Sequence, residues 1–320
     1  MNKAILIALA AFTALAFASQ IVPLSQTRFL GVQDEKKATF TQWKMKHGKS
    51  YSASAEEEFR FTTFKANYDF ITKTNARQDK YWLELNHLAD MTKEELSNLR
   101  GLKNKPAAKK DLKVAEILTY PESIDQREYG VVSGVKNQGQ CGSCWAFSTT
   151  GSIEGFQAQQ SGYMQTYSEQ QLVDCSGSYG NQGCNGGQMT EGLSYVIQNG
   201  ITTEAQYPYY AQDGYCQYNG GGYRFNQYAT AQASNAGLKS AVAVRPTSVG
   251  VDAQNWSFYG GGVFSDCGGS IDHGVLAVGY TEDYWIVKNS WGPGWGESGY
   301  IRLAMGNTCA ILESASLPYS

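Results

Sequence analysis

Seven cysteines, at positions 141, 144, 175, 184, 216, 267 and 309, and only three histidines define the chemistry open to this 320-residue chain. Every cysteine lies after residue 140, and that region holds a single histidine, His273. Cys141 and Cys144 form a C-x-x-C pair that three chemistries could use. A zinc site needs two further ligands, and neither a second C-x-x-C nor a second nearby histidine supplies them, so no metal is expected. A thioredoxin-like redox pair needs a βαβ frame, and none is visible around it. The third chemistry is nucleophilic attack by sulfur. A thiol with a pKa of about 8.5 is mostly protonated at neutral or acid pH, so an efficient attacking sulfur needs a helix N-terminus and an imidazolium beside it. An odd cysteine count leaves one thiol free for such a role.

The elements that must hold these groups are readable in part. Cys144 to Gly162 reads as a helix with Gly162 as its stop, which places Cys144 in the first turn, where the dipole favours an anion. Beyond residue 240 the pattern turns β, with strands over 248–251, 274–280 and 284–288 rich in Val, Ile and aromatics. A helical half followed by a β half predicts an α+β domain. The Tyr/Gln/Gly-rich tract from Tyr215 to Gln232 reads as a surface loop.

Charge divides the chain near residue 119. Residues 1–119 hold 19 Lys+Arg and 13 Asp+Glu, a net of +6, and residues 120–320 hold 7 and 16, a net of −9, which together return the total of −3. The small total excludes a nucleic-acid or anionic-membrane partner as the default reading, and 42% hydrophobic with 17% charged residues excludes a disordered chain. Met1-Asn2-Lys3 followed by the apolar run Ala4–Ala18 is too short to span a bilayer and reads as a secretory signal over 1–18, cut after Ala16-Phe17-Ala18. The mature protein is then expected to have no membrane anchor and to fold where disulfides persist. Asn104 to Lys110 reads as an exposed, basic linker open to proteolysis. Between signal and linker, Glu56, Arg60, Phe64, Asn67, Ile71 and Asn75 fall on one face of a helix, mixing polar with apolar residues.

Gln138-Gly139-Gln140-Cys141-Gly142-Ser143-Cys144-Trp145 carries the C-G-[SA]-C-[WY] signature, with His273 lying 129 residues and Asn289 145 residues after Cys144. From about residue 38 onward the chain resembles the papain-like cysteine proteases, nearest the cathepsin L branch. The resemblance implies a papain-like two-subdomain fold and the catalytic set Cys144, His273, Asn289 and Gln138, the last as an oxyanion donor with the Cys144 N–H. It implies that Trp291 shields the Asn–His pair, that Gly142, Gly186, Gly187 and Asp272 contact substrate, and that Met189, Gly250, Ile271 and Ser314 line a pocket for a bulky apolar residue two before the scissile bond. Six cysteines allow fifteen pairings; the resemblance implies Cys141–Cys184, Cys175–Cys216 and Cys267–Cys309. A hairpin turning at about Thr281 sets His273 opposite Asn289, close enough for the carboxamide to orient the ring.

The 56–75 stripe resembles the helix of a cathepsin L type pro-segment, and Glu84-x-Asn86-x-Leu88-x-Asp90 resembles its second motif with Glu84 and Leu88 as departures. The resemblance implies domains 1–18 (signal), 19–119 (inhibitory propeptide) and 120–320 (peptidase), the propeptide lying over the cleft until acid weakens its hold. Expected partners are protein and peptide substrates, the chain's own propeptide and cystatin-type inhibitors. The enzyme is expected to be a monomer without cofactor, in a lysosome-like acidic compartment or secreted. Departures are Gln126 where Trp is usual, a short loop after Tyr280, and Ala310 where Gly is common. No inserted segment with extra histidines is present, which favours endopeptidase over carboxyl-trimming activity. The rival readings are a catalytically silent papain-fold binding protein and a released propeptide acting as an inhibitor of other proteases. Asn255-Trp256-Ser257 is a weak glycosylation signal.

Overall fold

Aromatic rings hold the Lys/Glu-rich first part together. The computed structural model describes residues 24–103, 120–218 and 220–319, with side chains from residue 35; the expected signal peptide, the linker at 104–110 and the boundary at 119 lie outside the described residues. Helix α1 (Leu24–His47) packs on α2 (Ser54–Asn75) through Phe40, Trp43 and Phe64, whose ring centroids lie 5.1–5.9 Å apart. The mixed stripe on α2 has a physical reason. Phe64 and Ile71 are buried, whereas Asn67 donates to the Ala89 and Met91 carbonyls, Asn75 exchanges two hydrogen bonds with the Leu83 backbone, and Arg60 pairs with Glu95. The polar members thus satisfy an irregular segment that has no ladder of its own. That segment contains strand β1 (Tyr81–Leu83) and ends in helix α3 (Lys93–Ser97), opened by a Thr92–Glu95 capping box.

The second part begins with β2 (Ile124–Asp125), followed by α4 (Cys144–Ser161), α5 (Glu169–Cys175) and α6 (Met189–Asn199). Then come β3 (Gln227–Thr230), α7 (Asn235–Val244), β4 (Thr247–Val251), β5 (Tyr259–Phe264), β6 (His273–Tyr280), β7 (Tyr284–Lys288), β8 (Tyr300–Ala304) and β9 (Ala315–Tyr319). The α+β, two-subdomain expectation is borne out. Helix α4 is buried from Cys144 to Ala158, lies against β6 and ends where Gly162 turns left-handed at φ 77°. The sheet runs β1-β5-β8-β7-β6-β4-β9-β3, with β2 also on β6. The first part therefore contributes an edge strand, antiparallel to β5, which the sequence did not announce. The Trp82 indole lies against Gly260 and Gly261, where a β-carbon would overlap the ring.

One apolar cluster runs without a break from Phe40 and Phe64 of the first part to Trp256, Trp291 and Trp295 of the β half. A second fills the helical half around Trp145, Leu172 and Leu193. Disulfides Cys141–Cys184 and Cys175–Cys216 staple the helical half and Cys267–Cys309 the β half; Cys144 is free. Closing loops of 41–43 residues, each is worth about 3 to 4 kcal/mol on the loop-entropy model.

Four local readings change. The tract expected as a loop ends in β3, with Phe225 and Tyr228 buried. Gln126 is buried, its amide donating to the Val242 and Ala243 carbonyls at the end of α7, so it anchors the region with hydrogen bonds instead of an indole. Ala310 sits at φ 60°, where a glycine would avoid a cost of about 1–2 kcal/mol. Of the ten ion pairs among the described residues, five lie within the first part and only Arg100–Asp272 crosses to the second. Among the described residues the two parts thus share a single direct ion pair, and their contact consists mainly of apolar burial and strand pairing.

Candidate active site

The first turn of α4 and the start of β6 meet at Cys144. Its Sγ accepts a hydrogen bond from the Gly274 N–H at 3.4 Å, and a β-carbon on Gly274 would stand 3.2 Å from Trp145 Cα. His273, just before it, is fully buried, and its Nε2 lies 2.8 Å from Asn289 Oδ1. The pair is diagonal, not opposed. The β6–β7 ladder pairs Leu276 with Lys288 and Tyr280 with Trp285, numbers summing to 564 and 565 instead of 562. The hairpin turns at Glu282-Asp283, closed by the Thr281 N–H on the Tyr284 carbonyl, and a bulge near Val278 shifts the register once more. His273 therefore packs against Trp291 with its ring tilted by 33° and centroids 4.8 Å apart, while its Nε2 reaches back to Asn289.

Hydrogen bonding assigns the histidine tautomer. Asn289 Oδ1 also accepts the Ser290 N–H at 2.8 Å, a contact only the oxygen end can make. His273 Nε2 must then be the donor, which leaves the proton-accepting lone pair on Nδ1, buried and without a protein partner among the described residues. Burial pushes the His273 pKa down to about 3 and the Cys144 thiol up to about 11, the latter only partly offset by N–H groups of Gly274, Gly101 and Trp145. Burial thus disfavours the charged form of each group while the cleft is covered.

What covers them is residues 99–103 of the first part. The Gly101 N–H donates to Cys144 Sγ at 3.3 Å, and the Leu99 carbonyl accepts from Gln138 Nε2 at 2.9 Å. Gly101 O accepts the Gly187 N–H and the Lys103 N–H donates to Gly187 O, forming a parallel bridge centred on Leu102 and Gly187. A β-carbon on Gly186 would collide with Gly101 O, and one on Gly142 would collide with Cys184 O, so the wall at this approach must be glycine. Leu102 enters the cluster containing Met189, and a β-carbon on Gly250 would meet Leu102, Ile271 and Ser314 within 3.2 Å. Asp272 carries Arg100 at 2.8 Å and gives its backbone carbonyl to Leu102 N–H. Cys144, His273, Asn289, Gln138, Gly186, Gly187, Gly250 and Asp272 thus lie around the segment formed by residues 99–103 or around the Cys144–His273 pair it covers.

The sequence reading missed Tyr209. Its hydroxyl donates to the Gln138 carbonyl at 2.7 Å and lies 2.6 Å from Ser143 Oγ; having spent its single hydrogen on Gln138, it must accept from Ser143. One phenol therefore joins the loop bearing Gln138 to the residue that precedes Cys144. No local signal marks it in a chain with 21 tyrosines. Among the described residues no group of three or more His, Cys, Asp or Glu is placed to hold a metal ion, and no helix is long and apolar enough to cross a membrane.

A nucleophile-bearing helix facing a His–Asn strand pair defines a cysteine peptidase of the papain type. The family model described as papain family cysteine protease matches residues 120–319, and the cathepsin propeptide inhibitor domain (I29) matches residues 40–96. The chain belongs to the papain family and is made as a zymogen with an inhibitory propeptide. It is 42% identical to cysteine proteinase 5 of Dictyostelium discoideum over 318 residues, covering 87% of this chain and 91% of that one. A cathepsin L-like peptidase of Aedes aegypti is 40% identical over 346 residues, 98% and 99% of the two chains. The solved structure of digestive procathepsin L 3 from Tenebrio molitor larval midgut superposes with a TM-score of 0.80 at 40% identity, covering 89% of this chain and 99% of that one.

Proposed function

We propose that this papain-family endopeptidase hydrolyses peptide bonds through Cys144 and His273, with residues 1–18 a signal, 19–119 the propeptide and 120–320 the enzyme. In this reading the Cys144 proton passes to His273 Nδ1, and the sulfur attacks the scissile carbonyl carbon. The resulting oxyanion takes hydrogen bonds from Gln138 Nε2 and the Cys144 N–H. The imidazolium then protonates the leaving amine, and water, deprotonated by His273, releases the acyl group. Asn289 holds the ring and Trp291 excludes water. The observation that carries the reading is the propeptide's own placement. Gly101 offers Cys144 an N–H, not a carbonyl carbon, and Leu99 fills the Gln138 donor, so the sulfur is covered by a chain it cannot cut.

Acid release is the matching proposal, in a lysosome-like compartment or after secretion. His87 of the propeptide lies beside Gly294 and the Trp291 backbone, facing His47, Lys49 and Asp90 of its own part; burial lowers its pKa to about 4. The sign follows directly. Above pH 6.5 the docked and free segments are both neutral there, and between 6.5 and 4 only the free segment gains the proton. Docking therefore weakens by up to about 3 kcal/mol as pH falls through that window. Purified precursor held at pH 4–5 is expected to process near residue 119 and expose Cys144 to an irreversible epoxide, while at pH 7 it resists both. His87→Leu should slow processing at pH 5 about tenfold. No processing of the wild type, with or without added mature enzyme, would sink acid activation, and superimposable profiles would remove His87 from it. Processed, folded enzyme that takes no label would favour the silent binding protein.

Leu102 in the Met189, Gly250, Ile271 and Ser314 pocket supports a preference for bulky apolar residues two before the scissile bond. Fluorogenic peptides with Leu or Phe there are expected to exceed Arg by about 100-fold in kcat/KM; a preference for Arg would overturn the assignment. Tyr209 is a positioning residue in this scheme. Tyr209→Phe should lower kcat per titrated Cys144 about five- to tenfold with KM nearly unchanged, the cost of about 1 kcal/mol for a lost hydrogen bond. A purely structural role would lower the titre of active sites and leave kcat per site intact.

A further inference from the structure

A second concavity of about 400 Å³ opens at the far end of α4, some 24 Å along the helix from Cys144 at 1.5 Å per residue. Although the enzyme part carries a net charge of −9, the lining contains no Lys, Arg, His, Asp or Glu. It presents amides, hydroxyls and tyrosine rings, and part of it comes from the Tyr/Gln/Gly-rich tract to which the peptidase chemistry assigns no role. From this surface we infer a binding site for a neutral oligosaccharide, separate from the peptidase cleft.

The hydrogen bonding supports a sugar ligand. Gln160 Oε1 is held by the Tyr223 hydroxyl at 2.8 Å, and Gln206 Oε1 by the hydroxyls of Thr202 and Thr203 at 2.6 and 3.0 Å. Each amide is thereby fixed with its Nε2 turned away from that contact and without a protein partner among the described residues. Gln165 is fixed the other way round, its Nε2 on the Thr166 carbonyl and its Oε1 unpaired. The hydroxyls of Tyr163 and Tyr167 likewise have no protein partner among the described residues. A neutral lining with donors and acceptors at set positions matches a ring that carries several hydroxyls and no charge. Tyr163, 64% exposed, offers an aromatic face for the apolar side of such a ring, next to the stacked Tyr167–Tyr223 pair at 5.3 Å. An extended peptide finds less here. The backbone at the floor is already paired, with Ile201 and Tyr223 exchanging both N–H···O bonds, so no strand edge remains for it to join.

The test uses the intact precursor, so it does not depend on peptidase activity. Neutral hexasaccharides of glucose, mannose and N-acetylglucosamine are titrated by calorimetry and by saturation-transfer NMR, beside a heparin-derived hexasaccharide and a Gly-Gln-Tyr peptide. At least one neutral hexasaccharide is expected to bind saturably. Tyr163→Ala and Tyr223→Phe, the second freeing the Gln160 amide, should each weaken that binding tenfold or more without altering peptide hydrolysis after activation. Absence of neutral-sugar binding at 10 mM, binding unchanged in both variants, or preference for the anionic sugar or the peptide would each overturn the assignment.

Discussion

Cys144→Ser is expected to reduce kcat by about 10⁴-fold or more while leaving the precursor folded. The hydroxyl that replaces the thiol gives up its proton far less readily, so a neutral His273 Nδ1 cannot generate a comparable nucleophile. The fold should tolerate the change. Sγ accepts long hydrogen bonds from the Gly101 and Gly274 N–H groups, and a hydroxyl oxygen accepts from the same groups. KM should move little, because the glycine wall and the Gly250 pocket are untouched. The measurement is kcat on an apolar fluorogenic peptide, with the concentration of folded protein fixed by thermal melting. Activity within tenfold of the parent would mean that Cys144 is not the attacking group.

Gly101→Ala should open the zymogen at neutral pH. A β-carbon on Gly101 would stand well inside contact distance of the Gly142 carbonyl oxygen, a backbone atom in the turn between the disulfide-bonded Cys141 and α4. The segment must lift. Lifting breaks the Gly101 contact with Sγ, frees Gln138 from Leu99, and draws Leu102 out of its pocket. The isolated Gly101→Ala propeptide is expected to inhibit mature enzyme at least about 100-fold more weakly, a cost of about 3 kcal/mol. The full-length variant should react with an epoxide at pH 7, where the parent stays unlabelled. Equal inhibition by both propeptides would show that residues 99–103 contribute little to restraint.

The chemistry was more legible than the architecture, for physical reasons. A thiol nucleophile needs a helix N-terminus and an imidazole, and a region with one histidine leaves a single candidate, so Cys144 and His273 stand out from composition and spacing. Asn289 was found with them, but its register was not. A bulge and the position of a two-residue turn each move a ladder by one, and neither leaves a mark in Val278 or in Glu282-Asp283 that periodicity can read. Strand β1 was invisible for a related reason. Three residues make no pattern alone, and their partner is a glycine run whose value lies in lacking side chains beneath Trp82. The polar positions on α2 were visible as a stripe but not as carbonyl caps, because the segment they serve is irregular. The covering of Cys144 by residues 99–103 is a tertiary effect that no local signal in the catalytic motifs reports.

Docking at two separate places, β1 on the edge of β5 and residues 99–103 in the cleft, makes the propeptide a bivalent ligand on a tether. While the chain is intact, release at one place is reversed at once, since the other holds the loosened segment at an effective concentration in the millimolar range. Cutting the tether makes the last step of release bimolecular. The severed propeptide then keeps its grip in a crowded vesicle and loses it on discharge into a large volume, so dilution becomes a second trigger alongside acid, one that needs no change in any residue's charge.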